Sequence, residues 1–167
     1  MISALIVLIA CAAGAITDLR TRRIPNVIPI ALAVAGAIVA AASGWQTLLV
    51  FAAIGVAVIA GGTVLFSFKL LGGGDVKLLA AACASLAASH LVLPFLLATI
   101  LSGGVIGIAI AAMSGRLRAT AEHLHAMALP VFAGGSFTPV AHGTKMPYGL
   151  AIFCGAVVAL TLQLATR

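Results

Sequence analysis

The stretch Leu91–Met113, LVLPFLLATILSGGVIGIAIAAM, runs for 23 residues without one charged side chain. Wound as a helix at about 1.5 Å per residue, it is long enough to cross a hydrocarbon core of ~30 Å. Lipid offers the backbone no water to bond, so a spanning segment of this kind must close its hydrogen bonds internally as an α-helix. To either side lie five more apolar runs, Ile2–Ile16, Val27–Ala42, Thr47–Phe68, Val76–Ala88 and Tyr148–Leu164. The run Val76–Ala88 is the shortest. Ser43-Gly44 supplies a turn between the second run and the third, and Ser89-His90, with Pro94 beyond, separates the fourth from the fifth. The expected fold is all-α: a polytopic membrane protein with six transmembrane helices, in a single membrane-embedded domain over residues 1–167.

Composition points the same way. Of the 167 residues 63% are hydrophobic and 7% charged, against ~25% charged in a soluble globular domain. A surface this apolar suits lipid and excludes a soluble fold. The net charge of +6 raises nucleic acid as a partner, but phosphate binding needs its basic residues gathered on one face. Here Arg20, Arg22 and Arg23, Lys69 and Lys77, and Arg116 and Arg118 form short clusters between apolar runs, so no nucleic-acid partner is expected. Such clusters record orientation, because cytoplasmic loops collect Lys and Arg. With the N-terminus extracytoplasmic, the loops at 17–26, 67–77 and 114–147 face the cytoplasm and hold eight of the nine basic residues, all but Arg167.

Cys11, Cys83 and Cys154 stand far apart in apolar runs with no CxxC pair, and are expected to be small buried thiols rather than metal ligands. Met1–Ile16 lacks a basic leading region and is followed by Asp and Arg rather than by a small-residue cleavage site, which argues against a removed signal peptide. Between Ser114 and Met127, apolar Leu117, Leu124 and Met127 alternate with Arg116, Arg118, Glu122, His123 and His125, the pattern of a short helix lying on the membrane surface. Leu129–Thr144, rich in Gly, Pro and Ser, reads as an ordered loop or a re-entrant stretch.

The chain has only three acidic residues, Asp18, Asp75 and Glu122. A carboxylate at mid-bilayer costs ~2.5–3.5 kcal/mol on insertion scales, so an acid near lipid is a functional candidate by default. Asp18 follows the first run and Asp75 precedes the fourth, which places both at the cytoplasmic membrane face although they are 57 positions apart. Two carboxyl groups held close together cannot both ionise, so one keeps a proton while the other acts as base. Together they can deprotonate a water and polarise a peptide carbonyl. Gly72, Gly73 and Gly74 before Asp75 permit close backbone approaches and a cheap hinge. With three acids and no His/Cys cluster, neither a metal nor another cofactor is expected; His123 and His125 lack a third ligand.

Gly72-Gly73-Gly74-Asp75-Val76-Lys77-Leu78 resembles the GxGD motif of the type IV prepilin peptidases. Asp18-Leu19-x-x-Arg22-x-Ile24-Pro25-Asn26 is similar to their first aspartate loop, and Lys145-Met146-Pro147-Tyr148-Gly149-Leu150-Ala151-Ile152 to the start of their last span. The three stretches occur in the family's order. The resemblance implies an intramembrane aspartyl endopeptidase with Asp18 and Asp75 catalytic, cleaving leader peptides of prepilin-like protein substrates at the cytoplasmic face of the inner (plasma) membrane. It also implies no cofactor, and it makes Arg22, Pro25, Asn26, Gly72, Gly73, Gly74, Lys77, Pro147 and Tyr148 the residues expected to bind substrate or shape the site. The long form of the family carries cysteine pairs in an N-terminal cytoplasmic segment associated with methyl transfer. This chain has neither, and looks more like the short peptidases of Tad/Flp pilus systems or the archaeal preflagellin peptidases.

Structural readings stand beside these. Asp75 suits a helix N-cap, Asp18 has Arg22 as an i,i+4 partner, Arg20, Arg22 and Arg23 serve as topology signals, and Lys77 can anchor in headgroups by snorkelling. Pro25-Asn26 reads as the start of the second helix, with the asparagine in its first turn. A small transporter would also carry membrane carboxylates, near mid-bilayer and across inverted repeats. A non-catalytic subunit of a pilus or secretion assembly would have no use for two aspartates at one face.

Overall fold

The computed structural model describes residues 2–67, 71–113, 115 and 148–165. Among these residues there are six α-helices: α1 Ile2–Thr21, α2 Val27–Ser43, α3 Trp45–Ser67, α4 Gly73–Leu86, α5 Val92–Met113 and α6 Tyr148–Ala165. α1, α3, α5 and α6 are long and apolar enough to cross a membrane, and α2 is a shorter apolar helix. The surface-helix and loop readings for 114–127 and 129–144, together with Pro147, Lys69 and both of His123 and His125, fall outside the described residues.

The helix ends depart from the apolar runs where hydropathy and hydrogen bonding part company. α1 continues past Ile16 to Thr21, because charge does not interrupt the backbone ladder; Thr17 and Thr21 turn their hydroxyls back onto carbonyls of their own helix. The Arg22 N–H then closes on the Asp18 carbonyl at 2.8 Å, with Arg22 left-handed at φ 55°. Between α2 and α3 only Gly44 intervenes, at φ 122°, a conformation that favours glycine. A short 3-10 turn at Ala87–Ser89 and a left-handed His90 lead into α5, whose Pro94 lies in the first turn, where no helix donor is missed.

α4 is the buried centre. It packs on α1, α2, α3, α5 and α6, and from Val76 to Leu86 nearly every side chain is enclosed. α3 by contrast buries only Gly62 and exposes Val56, Ile59, Val64, Leu65 and Phe66. Such a helix is stable facing lipid, not water. Around α4 the contacts run from α5 to α6, from α6 to α1, from α1 to α2 and from α2 to α3. Cys11 and Cys83 are fully buried, as expected of small thiols, and Cys154 is half-buried.

Candidate active site

The inward stripe of α1 is Ala4, Val7, Cys11, Gly14 and Asp18, spaced three and four residues apart, so it forms one helix face that ends on the carboxyl group. Asp18 is 5% exposed and is the only buried charged residue among those described. An acid in the last turn of a helix is disfavoured by that helix's own dipole. Here the first turn of α6 compensates: the Gly149 N–H donates to Asp18 Oδ2 at 2.9 Å. The donor lies 131 residues away in sequence.

Asp75 comes to the same end of the bundle on α4. Helix α4 starts at Gly73 with Gly72 as its N-cap, so Asp75 is not the N-cap but the third helical residue. Its Oδ2 accepts the Gly72 N–H at 3.1 Å, the backward half of a capping box; glycine has no side chain for the forward half. One turn deeper, Leu78 lies so close to Gly14 that a methyl group there would be 2.7 Å from Leu78 Cδ2. Leu78 is three residues past Asp75, and Gly14 four before Asp18. Because neighbours at those spacings share a helix face, this contact places the two aspartates on the facing sides of α1 and α4. Asp18 and Asp75 lie within electrostatic reach of one another, and Tyr148 within reach of Asp75.

The loop after α1 closes over this end. Ile24 is buried against Gly74, where a methyl group would meet the Ile24 carbonyl oxygen at 3.0 Å and its Cβ at 3.1 Å. Gly74 is therefore needed for a close approach by the protein's own loop. None of Gly72, Gly73 and Gly74 has a positive φ, and a methyl group on Gly73 would make only ordinary contact with Phe66. Gly74→Val is accordingly expected to displace the 22–26 loop and abolish cleavage while helicity by circular dichroism stays unchanged; an active variant would show that the approach is dispensable. Asn26 sits at the N-cap of α2 rather than in its first turn. It makes no side-chain cap, and its Oδ1 accepts Lys77 Nζ at 3.0 Å.

Asp18, Asp75, Asn26, Lys77, Tyr148 and the three glycines are thus gathered at one end, with exposed Pro25 and Arg22 in the loop between Asp18 and Asn26. Gly14, Gly149, Leu78 and Ile24 belong to the same constellation. Gly149 and Ile24 lie inside quoted motifs, but nothing local marks them as packing against an aspartate or its neighbour.

Fold and site together define a class: a multi-pass membrane protein, helical throughout the described residues, with two aspartates at one end of its bundle. A model of the type IV leader peptidase family matches residues 5–108. The chain belongs to that family, and it is a membrane peptidase. The matched segment contains both aspartates, Gly72–Gly74 and Lys77 but ends before α6. No curated protein and no solved structure gives a significant match.

Proposed function

We propose that the chain is an aspartyl endopeptidase that removes the leader peptide of prepilin-like substrates at the cytoplasmic face of the inner (plasma) membrane, with Asp18 and Asp75 activating a water. The observation supporting this reading is that Asp18, in the last turn of α1, and Asp75, in the first turn of α4, lie at the same end of the bundle, where Leu78 packs on Gly14 and Ile24 on Gly74. One carboxylate takes a proton from water as its oxygen attacks the scissile carbonyl carbon. The protonated partner donates to the carbonyl oxygen, forming the tetrahedral intermediate. Collapse of that intermediate breaks the C–N bond: the carboxyl group that took the water's proton passes it to the leaving amine, and the other recovers its proton from the intermediate's hydroxyl. A transporter would want carboxylates near mid-bilayer, and these two are at a helix end and a helix start.

In this reading all six helices cross the membrane. α4, with 14 residues, spans only ~21 Å. Enclosed by its neighbours, it has no lipid thickness to match, and its first turn can open onto water. The charge bias supports an N-terminus outside and the aspartates inside. On a background without native cysteines, an impermeant thiol reagent should label Ser43→Cys and not Thr21→Cys in intact cells; the reverse pattern would overturn the orientation. Ser43 is chosen because Gly44, at φ 122°, would be strained by a side chain. The activity itself is tested by incubating the purified protein with a prepilin-like substrate. The expected product is shortened by its leader and disappears when either aspartate is changed to Ala; absence of any shortened product would sink the proposal.

A further inference from the structure

We propose that Lys77 and Asn26 form a latch that holds the 22–26 loop on the first turn of α4, making Lys77 a positioning residue for the aspartate pair rather than a headgroup anchor. The proposal rests on Asp18 and Asp75 being the catalytic pair. Its basis is the Lys77 Nζ to Asn26 Oδ1 hydrogen bond of 3.0 Å, which joins side chains 51 residues apart. An asparagine beside a helix start ordinarily turns its side-chain oxygen onto that helix's first N–H groups. Asn26 instead directs it across to α4.

The latch is one of two attachments, and they bracket Asp75. Ile24 packs on Gly74, one residue before it, and Asn26 holds Lys77, two residues after it. The same loop begins where the Arg22 N–H closes on the Asp18 carbonyl. A closed circuit results: Asp18, the loop, Lys77 and the first turn of α4 bearing Asp75. A lysine held only by headgroups would tie α4 to the bilayer, whereas this one ties the two aspartate-bearing segments to each other. Both partners are exposed, so the bond adds little to overall stability, and its effect should appear in the geometry of the reacting groups.

The test is a double-mutant cycle on full-length enzyme in liposomes made with and without anionic lipid, reading kcat and KM on a prepilin-like substrate. Asn26→Ala and Lys77→Met should each lower kcat by about tenfold, a fraction of the ~10²-fold that a 1 Å misplacement can cost, with KM nearly unchanged. The double variant should be no worse than the poorer single one, since both remove one interaction. Asn26→Asp, which keeps an oxygen for the ammonium group, should retain most of the activity and so separates the latch from a folding defect. Additive losses would overturn the latch. So would a KM rise confined to Lys77→Met, the signature of a substrate ligand, or a loss that appears only with anionic lipid, the signature of a headgroup anchor. An Asp18→Asn control separates the two levels: if it still turns over, the catalytic-pair reading fails, and if it is inactive while the cycle is additive, only the latch fails.

Discussion

Changing either Asp18 or Asp75 to Asn will remove nearly all turnover, at least ~10²-fold, while leaving the protein folded and able to bind substrate. The magnitude follows from chemistry, since losing a positioned general acid or base costs ~10²–10⁴-fold. Asn keeps the shape of the side chain but can neither accept the proton of the attacking water nor exchange acid and base roles. Retention of the fold follows from the hydrogen bonds. Asn at position 18 still offers an oxygen to the Gly149 N–H, and Asn at position 75 one to the Gly72 N–H. Burying a neutral amide at position 18 also costs less than burying a carboxylate. KM should therefore stay near that of the unchanged enzyme, because the lost interaction acts in the transition state. The double variant should be no slower than either single one, as expected of groups that work as a unit. Turnover by the unchanged enzyme should fall at both low and high pH, since the pair must carry one proton between its two carboxyl groups. Leader cleavage by each variant across pH decides the matter, and retention of more than about a tenth of the rate by either would contradict a two-aspartate mechanism.

Gly149→Ala should cut cleavage by about 10- to 100-fold, and Gly149→Val should abolish it and lower the melting temperature. Helix propensity alone forecasts the opposite, because replacing Gly by Ala within a helix ordinarily stabilises by ~0.5–1 kcal/mol. The contacts decide against propensity here. A methyl group at position 149 would lie 2.9 Å from Asp18 Cβ, 3.1 Å from Asp18 Oδ2 and 3.2 Å from the Gly14 carbonyl oxygen. Two of those atoms carry or hold the carboxyl group, and the third is backbone that cannot rotate away. α6 must retreat or Asp18 must turn, and a displacement near 1 Å is worth up to ~10²-fold in rate. Gly104→Ala is the matched control, since a methyl group there meets nothing within 4 Å. Cleavage rates and thermal unfolding of the two alanine variants test this. A fully active, stabilised Gly149→Ala protein would show that α6 does not position Asp18.

The helices were legible in the chain because lipid removes the alternatives. A long uncharged run such as Leu91–Met113 can satisfy its backbone there only as a helix, and α5 occupies Val92–Met113. Where side-chain hydropathy changed but backbone bonding did not, as at Asp18, the helix ran on to Thr21. The acids stood out by scarcity: three in 167 residues, two of them at the ends of apolar runs. The glycine run promises backbone freedom, yet Gly73 meets only ordinary contact, while Gly74 and Gly149, the latter outside that run, make approaches near 3 Å. The partners of the site were likewise hidden: Gly149 for Asp18, Ile24 for Gly74, Asn26 for Lys77 and Gly14 for Leu78. Periodicity reports which face of a helix is apolar. It carries no record of which residue on another helix, 51 or 131 positions away, fills the space in front of that face, and that choice emerges only when the helices pack.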